Sequence, residues 1–206
     1  TNADTHRNKR FVLNLDLENF FDGFHFGRVR GYFLKNRYFL LNEDIATLIA
    51  QIACYEGKLP QGAPSSPIIT NLICSILDYR IWKIARKYHL DYTRYADDLS
   101  FSTNARRFIE KRTHFLNDIS KEIEQSGFAL NTSKTHFELN SSRQMVTGII
   151  VNDKLSVPRE FYKSTRAMAN HLYRFGDFYI DGKAGTLAQL EGRFSFIYQV
   201  ISHNRK

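Results

Sequence analysis

The sequence predicts an α+β fold, an antiparallel sheet backed by helices, and three observations carry that prediction. The apolar periodicities run in the order strand, helices, hairpin, helix, short strands, helices. The first strand, FVLNLDL from Phe11 to Leu17, is apolar at nearly every position, as expected of a central strand covered on both faces. The stretch from Asp91 to Thr103, DYTRYA-DD-LSFST, alternates like a β-hairpin whose tip is an acidic pair.

Taken in order, the strand at 11–17 ends beside Asp16, and a helix-like stretch follows to about Arg37. A stronger helix begins after Asn42, a suitable N-cap, with Glu43 and Asp44 favourable in its first turn. Ile45, Leu48, Ile49 and Ile52 share one face of it, which is expected to be the buried face, and Gly57 closes the segment. Residues 59–67, LPQGAPSSP, form a rigid loop punctuated by prolines, and Ser66-Pro67 marks a helix entry running to about Tyr88. After the hairpin, Asn104 is the expected cap of an amphipathic helix carrying Phe108, Phe115, Ile119 and Ile123 and ended by Gly127. Short strands are expected near Phe128, near Phe137 and over Val146 to Val151, then helices over 159–175 and 185–203.

The 206 residues are 43% hydrophobic and 14% aromatic, enough to build a core and incompatible with disorder. Lys and Arg number 29 against 21 Asp and Glu, a formal charge of +8 that suits a polyanionic partner. Cys54 and Cys74 are the only cysteines, which excludes a disulfide scaffold and a CxxC zinc site and fits a reducing cytoplasm. No apolar run is long enough to span a bilayer, so no membrane partner is expected. The first residue is Thr1, and the chain reads as a piece of something longer.

Asp16, Asp97 and Asp98 are the acids of interest. Taken singly, an Asp-Asp pair at a hairpin tip is ordinary turn chemistry, and Asp16 at a strand end is a cap. If the first strand lies beside the hairpin, the three carboxylates converge on one sheet edge and require a cation for stability. Oxygen-only donors select a hard ion such as magnesium. Two such ions, about 3.5–4 Å apart, clamp both sides of an in-line phosphoryl displacement.

Tyr95-Ala96-Asp97-Asp98 resembles the YxDD box of reverse transcriptases. Asp16 with Phe20-Phe21 resembles their first aspartate motif, and Leu59-Pro60-Gln61-Gly62 their substrate loop, all in the family's order. The resemblance implies a polymerase palm that uses Asp16, Leu17, Asp97 and Asp98 to hold two magnesium ions. It places Phe21 as a steric gate against a ribose 2′-OH, Gln61 and Gly62 against the incoming dNTP and template, and Lys134 as general acid for pyrophosphate. Asp22 stands where the family commonly has proline.

Asn2-Ala3 with His6 is similar to the NAxxH motif, and Val146-Thr147-Gly148 to the VTG motif, of bacterial retron reverse transcriptases. The stretches NLDLENFF, NLICSILDYRI, TRYADDLSFS and the tail LEGRFSFIYQVIS resemble the same enzymes. This implies three segments: 1–10 as the end of the fingers, 11–157 as palm, and 158–206 as a partial helical thumb. It implies that Asn2, His6, Val146, Thr147 and Gly148 contact RNA, with Arg143, Lys154, Arg159, Lys163 and Arg166 supplying cations nearby. The implied activity copies a structured noncoding RNA, as template and primer, into branched RNA-linked DNA, leaving an RNA–DNA hybrid. An effector protein is the further partner, and defence against phage in the bacterial cytoplasm the setting. The rival readings are a group II intron-like or abortive-infection reverse transcriptase, an RNA-dependent RNA polymerase, and a non-catalytic RNA-binding palm module.

Overall fold

The computed structural model describes residues 2–202 and Asn204. Packing divides the chain into two compact units: residues 13–137, and the residues up to Val12 together with those from Glu138 onward. This cut by packing differs from the division by motif into 1–10, 11–157 and 158–206, which rests on family likeness.

The sheet of the 13–137 unit is built from β1 (Phe11–Glu18), β2 (Asp91–Tyr95), β3 (Asp98–Thr103) and β4 (Ala129–Leu130) in the order β2-β3-β1-β4, and β5 (His136–Leu139) also pairs with β1. β2 with β3 and β1 with β4 are antiparallel, as expected. Because side chains alternate along a strand, Leu13, Leu15 and Leu17 of β1 fall on one face, and all three are buried. Leu99 and Phe101 of β3 are buried as well, and Phe101 packs edge-to-face on Phe115 with ring centroids 5.1 Å apart. Phe115 belongs to α5 (Phe108–Gln125), which together with α4 (Ser66–Lys87) backs the sheet with Ile73, Leu77, Ile81, Ile119 and Ile123. Proline at its second position and a basic last turn, Arg86 and Lys87, suit the two ends of α4. Asn104 does not cap α5. A turn joining the Phe108 N–H to the Ala105 carbonyl intervenes, and the helix starts with Arg107 at the cap position and no side-chain cap.

α2 (Phe26–Lys35) and α3 (Glu43–Ala53) pair with each other. Asn42 caps α3 as expected, its Oδ1 accepting from the Ile45 N–H at 2.9 Å. The buried face, however, is Ala46, Ala50 and Ala53, while Ile45, Leu48 and Ile52 are exposed, Ile52 to 79%. Periodicity finds both faces. Which one docks depends on how closely the neighbouring helix approaches, and a row of alanines lets it come nearest.

The other unit contains α1 (Asn2–Thr5), the hairpin β6 (Met145–Val146) with β7 (Ile149–Ile150), α6 (Arg159–Phe175), the hairpin β8 (Tyr179–Ile180) with β9 (Lys183–Ala184), and α7 (Leu187–Ser202). Its core gathers Ala3, Val12, Val146, Val151, Leu155, Val157, Ile197 and Val200. Arg193 of α7 ties it to α6, donating to Thr165 Oγ1 at 3.0 Å and to Ser164 Oγ at 2.8 Å while lying over the Phe161 ring. The β8–β9 hairpin is a further element, turning on Asp181 and Gly182, both at positive φ. An Asp-Gly pair between two short β-prone runs is its sequence signal. Among the described residues no helix is long and apolar enough to cross a membrane.

Candidate active site

With Leu13, Leu15 and Leu17 committed to the helix-backed face of β1, Asn14 and Asp16 emerge on the opposite face. Ser100 of β3 donates to Asn14 Oδ1 at 2.9 Å, so the even-numbered residues of β3 share that face. Two residues along, Asp98 therefore lies on the same side of the sheet as Asp16. The Leu17 N–H donates to the Asp97 carbonyl at 3.0 Å, which fixes the hairpin tip against the end of β1. Segments remote in sequence thus bring all three acids to one end of one sheet.

The tip itself is strained. Tyr95 pairs with Asp98 across a two-residue loop in which Ala96 has φ 53°, a left-handed conformation that glycine adopts freely and alanine adopts at a cost of about 1 kcal/mol. Arg94 holds it there. Its guanidinium donates to the Ala96 carbonyl at 2.9 Å and grips Asp78 of α4 through both carboxylate oxygens, at 2.7 and 2.8 Å. Asn71 Oδ1 accepts a further bond at 3.2 Å, and the Tyr92 hydroxyl donates to Asp78 at 2.8 Å. The Arg94 side chain is only 4% exposed. Neither Arg94 nor Asp78 figures among the sequence-derived site residues. The available signal is an arginine inside a half-buried strand, which must find an acid.

Past its end, β1 passes through Asn19, at φ 46°, into a 3₁₀ turn over Phe20–Gly23. Phe20 is buried against Phe24 and Phe128. Arg28 locks this cluster, stacking over Phe128 at 4.5 Å and donating to the Gly23 and Ser126 carbonyls. A Cβ on Gly23 would stand 2.7 Å from the Phe128 ring, so only glycine lets the turn seat so closely. With Phe20 anchored, Phe21 is turned toward the acids. The 59–67 loop is fastened by the Leu59 N–H on the Phe24 carbonyl at 3.0 Å and by Ser66 Oγ on the Pro60 carbonyl at 2.7 Å.

A cleft of about 370 Å³ results, lined in part by Asp16, Leu17, Phe21, Gln61, Asp97 and Lys134. A second cavity of about 330 Å³ shares Phe21 and Gln61 and adds Arg94, Tyr95 and Ala96. Leu17 can offer only its backbone there, since its side chain is buried. Gly62, at φ 96°, is exposed and belongs to neither lining. Lys134 Nζ lies 3.2 Å from Asp16 Oδ2; the lysine side chain is 61% exposed and that of Asp16 only 10%. Burial raises the Asp98 carboxyl above its ordinary range, the charges of Asp97 and Asp16 raise it further, and Lys134 opposes them.

That excess of negative charge over one lysine, presented by oxygen donors alone, fits a hard divalent cation. Among the described residues, no three His, Cys, Asp or Glu side chains are already gathered tightly enough to chelate one. Ion binding would therefore require the carboxylates to close in and Lys134 to yield Asp16.

In the other unit, His6 is fully buried and Val146 nearly so. Of the residues expected to contact RNA, Asn2, Thr147 and Gly148 reach the surface. Thr147 and Gly148 form the β6–β7 turn at φ 47° and 81°, and a β-branched residue at positive φ is an outlier of the kind that collects at functional sites.

The family model for reverse transcriptase (RNA-dependent DNA polymerase) matches residues 1–161. The retron Ec86 reverse transcriptase of Escherichia coli is 38% identical over 206 residues, covering all of this chain and 60% of its own length. The retron Mx162 enzyme of Myxococcus xanthus is 34% identical over 230 residues, covering 96% of this chain and 46% of its own. The chain thus spans about half to three-fifths of these relatives. Among solved structures, a truncated apo telomerase from Candida tropicalis superposes with a TM-score of 0.52 at 14% identity, over 75% of this chain and 36% of that one. Telomerase from Candida albicans in complex with a telomeric RNA fragment does so at 0.52 and 12%, over 94% and 38%. These likenesses concern fold alone. The aspartates, the tip and the loop of this cleft sit in the segment matched by the family model, and the chain belongs to the reverse transcriptase (RNA-dependent DNA polymerase) family, on its bacterial retron branch.

Proposed function

We propose that the protein is an RNA-directed DNA polymerase of retron type, copying a structured noncoding RNA into branched, RNA-linked DNA in the bacterial cytoplasm, as part of defence against phage. The observation that supports it best is that Asp16, Asp97 and Asp98 meet at one end of one sheet, with Asp16 and Asp97 lining a cleft together with Phe21 and Gln61. Asp16, the Leu17 carbonyl, Asp97 and Asp98 would hold two magnesium ions, whose chemistry is to lower the pKa of a primer hydroxyl and steady the departing pyrophosphate. The chain's own residues do the rest. Arg94 ties the tip that carries Asp97 and Asp98 to α4, so the backbone of the tip is held in place and only the carboxylate side chains have to close on an ion. Phe21, anchored through Phe20, stands where a ribose 2′-OH would lie and selects deoxynucleotides. Gln61 borders both cavities and packs between nucleotide and template. Lys134 is half-solvated on Asp16, a pairing weak enough to exchange for a phosphate oxygen, where Nζ can deliver a proton to the leaving group.

Primer extension by the full-length protein with dNTPs or rNTPs in magnesium tests this reading. The protein should extend with dNTPs, and the Asp97→Asn, Asp98→Asn double variant should not; incorporation that survives in the double variant defeats the assignment. A second reading, an RNA-binding palm without catalysis, draws on the carboxylates not being gathered in advance. It expects RNA binding and no extension by the unaltered protein.

A further inference from the structure

At the end of the β2–β3 hairpin away from the acids lies a separate cavity of about 440 Å³, between the last turn of α4 and the first turn of α5. Lys87, His89, Arg106, Arg107 and Lys111 line it, with the buried Phe108 among the lining and no acidic residue. Of these, Lys87 is already paired with Asp118 at 3.1 Å, as Arg80 of α4 is with Glu122 of α5 at 3.1 Å. Among the described residues, Arg106, Arg107 and Lys111 have no such acid, although all three are exposed and close in sequence. A solvated charged face is ordinarily mixed in sign and convex. A concave wall that carries three cations without a partner acid focuses potential and concentrates an anion.

The neighbouring surface continues the theme. On the exposed face of α4, Tyr79 and Trp82 stack nearly parallel, 17° apart with centroids 6.2 Å apart. Lys83 lies over the Tyr79 ring and Arg86 over that of Trp82. Both rings are about half exposed. Cations interleaved with exposed aromatic rings are the surface that single-stranded nucleic acid uses, the cations taking the phosphates and the rings the bases.

We infer that this cavity and the Tyr79–Trp82 face form a second polynucleotide-binding surface. It engages the phosphodiester backbone of a single RNA strand outside the acid cleft, through Arg106, Arg107 and Lys111. The inference deepens the polymerase reading, and takes its choice of RNA from it. Its physical content is that RNA docked here stays attached while the active end works.

The test measures equilibrium binding of an unprimed RNA strand of about 20 nucleotides to the full-length protein, without nucleotide or divalent cation, across a salt series. The triple variant Arg106→Gln, Arg107→Gln, Lys111→Gln should lower affinity at low salt roughly 10-fold and flatten the log K against log salt slope by about 2. A control that removes three exposed charges elsewhere, Lys35→Gln, Lys121→Gln, Lys183→Gln, should leave the slope close to that of the parent. Equal losses in the two variants, or an unchanged triple variant, overturn the inference. So does displacement of the RNA by millimolar inorganic phosphate alone, which would mark a free-phosphate site. Should the triple variant unfold in a thermal melt, Lys111→Gln alone carries the test, with an expected slope change of about 0.7. Because no nucleotide is incorporated, the result is readable whether or not the protein polymerises.

Discussion

At the scale of single residues, the role proposed for Asp98 works against stability. Its carboxyl sits above the ordinary range because it is buried and because Asp97 and Asp16 face it. The folded protein therefore binds a proton there more readily than the unfolded chain does. Stability from this group is fullest at acid pH and is lost as pH rises from the ordinary carboxylate value through the raised one. Asp98→Asn should then raise the metal-free melting temperature at neutral pH, while lowering dNTP incorporation by more than the ~10–100-fold typical of losing an outer partner of a metal ligand. A thermal melt in chelator and a primer-extension rate check the two halves, and a variant that melts lower at neutral pH contradicts the electrostatic account. Phe21 supports a different prediction. If its ring excludes the 2′-OH, Phe21→Ala should raise the rNTP-to-dNTP incorporation ratio by roughly 10²-fold with little loss of dNTP use.

At the scale of elements, the tip of the β2–β3 hairpin depends on α4. Arg94 is nearly fully buried and has Asp78 as its counter-charge, so removing either partner strands the other. Arg94→Gln should cost about 3 kcal/mol of stability by chemical denaturation. Because the Ala96 carbonyl also loses its donor, kcat for incorporation should fall with little change in KM for dNTP, a split that a general loss of fold would not produce. A double-mutant cycle with Asp78→Asn should show strong coupling. α3 allows the opposite expectation. Its large aliphatic side chains already lie in water, so Ile52→Thr should change stability by less than about 0.5 kcal/mol, whereas Ala50→Leu, on the buried face, should cost about 1–3 kcal/mol.

At the scale of the whole molecule, charge and architecture meet in the response to cations. An ion held by the three aspartates stabilises only the folded state, and at ten times its dissociation constant adds about 1.4 kcal/mol, a melting shift of roughly 3–6 °C. Magnesium should produce that shift in the full-length protein and not in the Asp97→Asn, Asp98→Asn variant, as followed by calorimetry. Local periodicity, turn chemistry and short motifs in the sequence suffice to read the fold class and most helix and strand limits, and to single out the three acids proposed as metal ligands. Tertiary structure alone decided which face of α3 is buried, since both Ile45/Leu48/Ile52 and Ala46/Ala50/Ala53 repeat at helical spacing. It alone supplied Arg94 and Asp78, whose bond joins a strand to a helix and has no motif. It alone buried His6 and set Arg106, Arg107 and Lys111 around one hollow. The physical reason is the same throughout: spacing along a chain fixes which way a side chain leaves its own element, and only packing between elements fixes what it meets.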